Sequence, residues 1–318
     1  MGGIPGGPYM SSTETICEPR QFTVERDGGV TLVGEVWDPV DPAGDSLDPV
    51  EEILMLHGGA QTRHAWSRAA RRLSGEGYRV TAMDARGHGD SDWDPEGDYD
   101  IHRLAADLEA IVAERFPSRR PVIVGASLGG MTAMLSLGTG KDVARALVLV
   151  DVTPKLEAKG VERVGEFMRS GFNGFASLEE AADAIAAYQP QRKRPPNPEG
   201  LRKNLRLRED GRWHWHWDPR FAGCASADNA ELGNAFFEEL VPHITQPTLL
   251  IRGSASDIVS DESVRHLRGL LPHAYTMEVP DAGHMVAGDD NAVFLDQLEK
   301  FLAEVLDSPP RRETSREA

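Results

Sequence analysis

Cysteine is scarce in this chain of 318 residues, since only Cys17 and Cys224 occur, far apart in the sequence. Two cysteines cannot form the disulfide framework of small secreted domains, and we expect both to be free thiols. No stretch reaches the roughly 18 consecutive apolar residues of a membrane span. The first 15 residues lack the basic and apolar regions of a signal peptide. We therefore expect a cytoplasmic protein with no membrane partner.

Positive charge is also scarce: 34 Lys and Arg stand against 51 Asp and Glu, which gives a net charge of −17 at pH 7. This charge repels phosphate backbones and anionic lipid surfaces, so nucleic acid is not an expected partner. Hydrophobic residues make up 40% and charged residues 27% of the chain, which is typical of globular proteins and excludes collagen-like, coiled-coil and mainly disordered chains. The composition does not decide between a monomer and a homo-oligomer.

Short apolar runs predict most of the strands. Phe22 to Arg26 and Thr31 to Trp37 alternate apolar and polar residues around an Asp-Gly-Gly turn, which predicts a hairpin. The later runs are continuously apolar, as in strands buried on both faces. They are Ile53 to Leu56, Tyr78 to Met83, Pro121 to Val124, Ala146 to Val150, Thr248 to Ile251 and Tyr275 to Val279.

Segments with helical periodicity lie between most of these strands and predict an α/β fold with a doubly wound, mainly parallel sheet. The segments are Ala65 to Leu73, Ile101 to Phe116, Met131 to Leu137, Glu262 to Leu271 and Ala292 to Leu306. The alternation stops between residues 152 and 240, where helical stretches such as Leu178 to Tyr188 flank a proline-rich segment. We predict a core of residues 19–151 and 241–307, a cap domain at 152–240, a disordered lead at 1–18 and a disordered tail at 308–318.

The sequence Gly-Ala-Ser-Leu-Gly at residues 125–129 is the strongest chemical signal in the chain. It matches the Gly-x-Ser-x-Gly pattern and stands between a predicted strand and a predicted helix. A serine on such a turn needs small neighbours because the backbone is strained, and the amides of the next helix point toward developing negative charge. The pattern indicates that Ser127 is a nucleophile.

Three further motifs follow the order found in the α/β-hydrolases, which the chain resembles from about residue 20 to 306. They are His57-Gly58-Gly59-Ala60 after the third strand, Asp84-x-Arg86-Gly87-His88-Gly89-x-Ser91 after the fourth, and Asp281-Ala282-Gly283-His284 after the last. The chain is most similar to the small bacterial serine carboxylesterases and the cofactor-free haloperoxidase-like esterases. Epoxide hydrolases and haloalkane dehalogenases carry an aspartate in place of Ser127. The resemblance implies the α/β-hydrolase fold, ester hydrolysis and no cofactor.

The resemblance makes His284 the general base, because the loop after the last strand can reach the nucleophile. Family members usually carry the acid of the triad after the seventh strand. Ser256 occupies that place here, and Asp257 follows one residue late. Asp151 ends the sixth strand, 24 residues after Ser127, where some branches of the family place the acid. We favour Asp151 and keep Asp257 as the alternative.

The family pattern also supplies an oxyanion hole from the backbone amides of Gly59 and Leu128, with Ala60 as the alternative donor if the loop is registered differently. His57 and His88 lie near strand ends, where the family uses such residues mostly for structure. We expect the same here.

A second hairpin is predicted in the cap, where Leu205 to Arg208 and Trp213 to Trp217 flank an Asp-Gly turn. With a period of two, Trp213 and Trp215 share one face, and His214 and His216 share the other. The two tryptophans are candidate substrate-binding residues. The two histidines lack a matching cluster of cysteines or carboxylates, so we predict no metal site and expect this strand to pack the cap onto the core.

Taken together, the motifs predict a serine hydrolase that cleaves small-molecule carboxylic esters through an acyl-enzyme, with a Ser-His-Asp triad. The same triad also serves lactonases, thioesterases, carbon-carbon bond hydrolases and perhydrolases. A ligand receptor with very slow turnover on the same scaffold is a third reading, since fold does not fix function. The sequence leaves these alternatives open.

Overall fold

The computed structural model describes residues 18–40, 47–189, 194, 197–224, 226–284 and 291–307. Nearly all of the predicted disordered lead, and the whole predicted tail, lie outside these ranges. Ten strands run in chain order as β1 Arg20–Arg26, β2 Val30–Trp37, β3 Glu52–Leu56, β4 Arg79–Met83, β5 Val122–Ala126, β6 Ala146–Val150, β7 Leu205–Leu207, β8 Trp213–Trp215, β9 Thr248–Gly253 and β10 Tyr275–Val279.

Eight α-helices accompany these strands in the described part of the chain. They are α1 Ser67–Gly75, α2 Ile101–Arg115, α3 Leu128–Gly138, α4 Ala158–Ser170, α5 Leu178–Tyr188, α6 Ala227–Leu240, α7 Asp261–Leu270 and α8 Asn291–Asp307. Short polar side chains fix several helix starts, because their oxygens accept the free amides of the first turn. Asp100 caps α2, Ser177 caps α5 and Ser260 caps α7 in this way. Within the described ranges, no helix is both long enough and apolar enough to cross a membrane.

Eight of the strands form one sheet in the order β1-β2-β4-β3-β5-β6-β9-β10. Strand β2 is antiparallel to β1 and β4, and the other neighbours are parallel. The central strands are apolar on both faces because helices cover both faces. All five residues of β6 are buried. The predicted α/β fold with a doubly wound, mainly parallel sheet is confirmed.

The predicted cap segment carries α4, α5, α6 and a separate two-stranded sheet of β7 and β8. Strands β7 and β8 are antiparallel, with Leu205 opposite Trp215, as the sequence predicted. The far end of α6 packs against the core, since Phe237 belongs to the same apolar cluster as residues of α2 and α3. The division into core and cap at residues 152 and 240 stays a prediction.

Candidate active site

Ser127 lies on the turn between β5 and α3, at the carboxyl end of the parallel strands. Its φ of 44° is in the left-handed region, which is uncommon for a residue with a side chain and costs backbone energy. Glycine is required on both sides of it. A Cβ on Gly125 would lie 2.6 Å from the amide of Gly130, and one on Gly129 would lie 2.6 Å from the carbonyl of Leu56. The motif at 125–129 therefore folds into the strained turn that its pattern predicted.

Asp151 follows the last residue of β6 and is completely buried. Its own φ is 51°. One carboxylate oxygen, Oδ1, accepts the amide of Gly253 at 3.0 Å, and the other, Oδ2, accepts Nδ1–H of His284 at 2.7 Å. The amide of Ser127 donates to the carbonyl of Val150, the residue before Asp151, at 3.2 Å. The structure therefore brings the Asp151–His284 pair next to the turn that carries Ser127.

Asp257 points elsewhere. Its carboxylate pairs with the guanidinium of Arg163 on α4 at 2.6 Å, and its side chain is 37% exposed. A carboxylate that stabilises a catalytic imidazolium has to bond the imidazole directly. Of the two candidate acids, Asp151 is the one that the structure places on His284.

The loop that carries His284 packs tightly against the end of β9. A Cβ on Gly253 would overlap the carbonyl oxygens of Ala282 and Gly283. The amide of Ala255 donates to the carbonyl of Ala282 at 2.9 Å. Glycine at 253 thus lets the loops after β9 and β10 approach, and their approach brings His284 to Asp151.

The loop after β3 runs directly beside the nucleophile turn. The amide of Gly129 donates to the carbonyl of His57 at 3.2 Å, and a Cβ on Gly58 would lie 3.3 Å from Cβ of Ser127. Gly59 follows in this loop. Leu128 is the first residue of α3, and an amide in the first turn of a helix has no partner within the helix. The role of Gly59 and Leu128 as oxyanion donors stays a prediction.

Ala60, the alternative donor, has a partner already. Its amide donates to Nε2 of His88 at 3.3 Å. His57 and His88 are both buried, and their rings lie 5.2 Å apart. Nε2 of His57 accepts the amide of Ala85 at 3.0 Å. Both histidines therefore orient the loops around the site.

Another buried histidine, His216, joins the predicted cap segment to this region. Its Nδ1 accepts the amide of Gly89 at 2.6 Å, and neighbouring cap residues add further bonds to the same loop of the core. The carboxylate of Asp218 accepts the hydroxyl of Tyr99 at 2.6 Å, and Arg206 donates to the carbonyl of Gly89 at 2.7 Å. These contacts agree with the expectation that the strand with Trp213 to Trp217 packs the predicted cap segment onto the core. The sequence pattern gave no indication of the individual partners.

The buried histidines His57, His88 and His216 make the stability of the protein dependent on pH. Burial lowers the pKa of His88 to about 3 and also lowers the pKa of His57 and His216. The unfolded chain binds these protons near pH 6.5, whereas the folded protein does not, so stability falls as pH falls below that value. We expect the free energy of unfolding to drop between pH 7 and 5.5, by at most about 1 kcal/mol per histidine, a limit set by the pKa of the unfolded chain. Urea unfolding measures the drop.

The variant His216→Gln isolates this effect, because glutamine does not titrate and its amide oxygen can still accept a hydrogen bond. We expect the drop in the variant to be smaller than in the wild type, by at most about 1 kcal/mol. The matched control is His102→Gln at an exposed position of α2, which should keep the full drop. Equal drops in His216→Gln and the wild type would contradict the assignment.

The tryptophans of the cap lie in different surroundings. Trp215 is 5% exposed; its ring stacks on Trp217 at 4.6 Å and meets the edge of Phe175 at 5.2 Å. Trp213 is only partly buried, and the guanidinium of Arg202 lies 4.7 Å from its ring. The substrate-binding role predicted for Trp213 and Trp215 stays a prediction.

We expect Trp215→Ala to destabilise the protein by about 3–5 kcal/mol, because it leaves a large cavity among packed rings. Trp213→Ala should cost much less, since part of its ring already faces solvent. Denaturant unfolding of both variants measures the difference. Equal losses would show that the stack around Trp215 is not a rigid part of the cap.

His214 and His216 have separate hydrogen-bond partners. Nε2 of His214 bonds the carboxylate of Asp210 at 2.8 Å, and His216 bonds Gly89. Across the part of the chain that the structure describes, no group of three or more His, Cys, Asp or Glu side chains could hold a metal ion.

A sequence profile of the alpha/beta hydrolase fold matches residues 52–290, and the chain therefore belongs to the α/β-hydrolase family. The resemblance inferred from the motifs is confirmed. Known relatives in this family carry the names esterase, hydrolase and lipase.

Two curated relatives match most of their own length. The chain is 30% identical to esterase Rv0045c of Mycobacterium tuberculosis over 243 residues, which cover 74% of this chain and 78% of that protein. It is 29% identical to a 3-hydroxybutyrate-oligomer hydrolase of Cupriavidus necator over 252 residues, which cover 76% and 84%.

Solved structures agree on the fold. The crystal structure of Rv0045c superposes with a TM-score of 0.66 at 26% identity, over 90% of this chain and 92% of that one. The crystal structure of E-2-(acetamidomethylene)succinate hydrolase superposes with a TM-score of 0.74 at 21% identity, over 90% and 100%. At that identity the second likeness shows the fold alone.

Proposed function

We propose that this protein is a serine hydrolase that cleaves carboxylic esters of small molecules through an acyl-enzyme. The observation that carries the proposal is the 2.7 Å bond from His284 to the buried carboxylate of Asp151, next to the strained turn that presents Ser127. The names of the esterase relatives support the same reaction. The composition of the chain favours the cytoplasm as the place of action.

In the first half of the reaction, Oγ of Ser127 attacks the ester carbonyl while Nε2 of His284 takes the hydroxyl proton. Asp151 holds the imidazole with Nδ1–H toward the carboxylate, which leaves Nε2 free to accept that proton, and stabilises the imidazolium that forms. The amides of Gly59 and Leu128 bind the oxyanion. The imidazolium then protonates the leaving alcohol, and the acyl group stays on Ser127.

In the second half, His284 takes a proton from water, and the resulting hydroxide attacks the acyl carbonyl. The tetrahedral intermediate collapses, the carboxylic acid leaves and the proton returns to Oγ of Ser127. Each step uses groups of the protein and water only. The same geometry can also cleave a lactone or a thioester, so the type of bond that the protein prefers has to be determined by experiment.

The test combines labelling and turnover. A fluorophosphonate should add to Ser127, with one adduct per chain by intact mass and its position by peptide mapping. An aryl ester should give a burst of about one equivalent of phenol followed by repeated turnover. A burst without turnover would favour the receptor alternative. A panel of acyl chain lengths, lactones and thioesters then ranks the bond types by kcat/KM.

Phe221, in the predicted cap segment, lies beside the loop after β3 that carries Gly59. A Cβ on Gly59 would lie 3.8 Å from its ring, and the ring is 4% exposed. We expect Phe221→Ala to raise the ratio of kcat/KM for a long-chain acyl ester to kcat/KM for an acetate ester by about tenfold. The substitution removes a ring from the apolar wall of the acyl pocket and so makes room for a longer chain. The control is Phe172→Ala, which removes a 40% exposed ring from the same segment. An unchanged ratio in folded Phe221→Ala would remove this ring from the acyl pocket.

A further inference from the structure

Ser256 contacts the same carboxylate oxygen that binds His284. Its Oγ lies 2.6 Å from Oδ2 of Asp151, and Nδ1 of His284 lies 2.7 Å from that oxygen. The sequence had identified Ser256 only as the residue that fills the place of the usual acid. Its contact could not be predicted, because it joins two loops that are 105 residues apart.

The direction of this hydrogen bond is fixed by the other bonds of the hydroxyl. Oγ of Ser256 accepts the amide of Ile258 at 3.2 Å and that of Val259 at 3.1 Å. A serine hydroxyl has two acceptor lone pairs and one proton. Both lone pairs are in use, so the proton points to Oδ2 of Asp151. The completely buried carboxylate thus receives Ser256 and His284 on one oxygen and the amide of Gly253 on the other.

The loop that carries Ser256 is held in place by helix α4 of the cap segment. The amide of Glu157 donates to the carbonyl of Ile258 at 2.9 Å, and Arg163 pairs with Asp257 at 2.6 Å. A Cβ on Gly160 would overlap the carbonyl of Asp257. Glycine at 160 therefore lets the helix lie directly on this loop. Asp151 contacts Ser256 itself, and α4 contacts the neighbouring residues of its loop, so the position of Ser256 is fixed.

We propose that Ser256 is a positioning residue for the catalytic acid: its hydroxyl fixes the rotamer of Asp151 and shares the charge of the oxygen that bonds His284. This inference rests on the proposed function. Without the hydroxyl, the buried carboxylate loses one donor and turns more freely. It also holds the imidazolium more strongly, because fewer donors share its charge.

The test compares Ser256→Ala with Ser256→Thr, which keeps the hydroxyl. We expect Ser256→Ala to lower kcat for an aryl ester about tenfold, to leave KM within about twofold, since no substrate contact is lost, and to move the acidic limb of the pH–rate profile to higher pH. Ser256→Thr should restore both kcat and the profile. The matched control is Ser260→Ala, which removes another hydroxyl of this loop and should change stability only.

The other ionisable groups near this loop do not account for the expected shift of the acidic limb of the pH–rate profile. Burial and the nearby carboxylate of Asp257 raise the pKa of Tyr188, on α5, to about 12, so its phenol stays neutral in the assay range. Arg163 and Asp257 neutralise each other as a pair. Glu157 bonds the hydroxyl of Ser260 at 2.6 Å, so a contribution from Glu157 would show in the Ser260→Ala control.

A second measurement does not depend on turnover. In the Ser127→Ala background, the proton between His284 and Asp151 should give a far-downfield NMR signal that moves in Ser256→Ala and returns in Ser256→Thr. The proposal would be overturned if the NMR signal and the acidic limb of the pH–rate profile were the same in Ser256→Ala as with serine at 256. It would also be overturned if Ser256→Thr did not restore them. Full ester turnover by Ser127→Ala would instead overturn the proposed function, and the NMR signal would still report on Ser256.

Discussion

Ser127→Ala should lower ester hydrolysis by about 10⁴-fold or more while the fold stays intact. The substitution removes the attacking oxygen, and only the oxyanion amides and substrate binding remain to assist water. Alanine is tolerated by the surrounding structure, since it is smaller than serine and the glycines on either side keep their contacts. Initial rates on an aryl ester, together with circular dichroism and the unfolding midpoint, measure both parts of the expectation.

Ser136→Ala is the control for this experiment. Ser136 lies on α3, the helix that follows Ser127, and is fully buried; its hydroxyl has no partner among the described residues. Its loss should leave turnover near the wild-type value. Activity of folded Ser127→Ala within about tenfold of wild type, roughly 1.4 kcal/mol of activation free energy, would exclude the serine mechanism.

The central strands of the sheet were predictable because they are buried on both faces. The apolar run Ala146 to Val150 matches β6 residue for residue, and all five residues are buried. The run Tyr275 to Val279 also matches β10, but the expectation of burial on both faces is wrong there, because β10 lies at the edge of the sheet and only Val279 is buried. A buried strand has no polar face that would interrupt its sequence, so its ends coincide with the ends of the apolar run. The first hairpin was predictable for a local reason, since Gly28 and Gly29 both adopt positive φ.

Helices α4 and α6 and the short 3-10 helices of the cap segment were not delimited from the sequence. Only three of the thirteen residues of α4 are buried, Gly160, Gly165 and Met168. Two of them are glycines, which give no hydrophobic periodicity and favour other conformations. Gly160 of α4 packs against the loop after β9, and this tertiary contact cannot be read from the periodicity of the sequence.

The residues of the candidate site were found from motifs, but their contacts were not. Ser127 and His284 stand at the ends of predicted strands, and the carboxyl ends of parallel strands meet at one edge of the sheet. Whether Asp151 or Asp257 reaches the imidazole depends on a shift of one residue in a loop, which a single sequence does not determine. The ion pair with Arg163 turns the carboxylate of Asp257 away from His284. Arg163 lies on α4, a helix that the sequence did not delimit.

Asp151→Asn should cost about 10⁴-fold in kcat, whereas Asp257→Asn should stay within about tenfold of wild type. An asparagine at 151 can present its NH₂ group to Nδ1 of His284, which favours the wrong imidazole tautomer, and it cannot stabilise the imidazolium. Asparagine at 257 loses only a partly exposed ion pair with Arg163, and such pairs contribute about 0–1 kcal/mol. Steady-state rates on one aryl ester, measured for both variants under the same conditions, give the ratio.

Both variants have to be shown to fold before their rates are compared, because Asp151 also accepts the amide of Gly253 and the hydroxyl of Ser256. Asparagine can keep one of these acceptor roles through its carbonyl, so a loss of activity without a loss of structure would identify the charge as the essential feature. If folded Asp257→Asn were nearly inactive and folded Asp151→Asn nearly normal, the acid would be Asp257. The loop after β9 would then have to release Arg163 and turn its carboxylate toward His284 during the reaction.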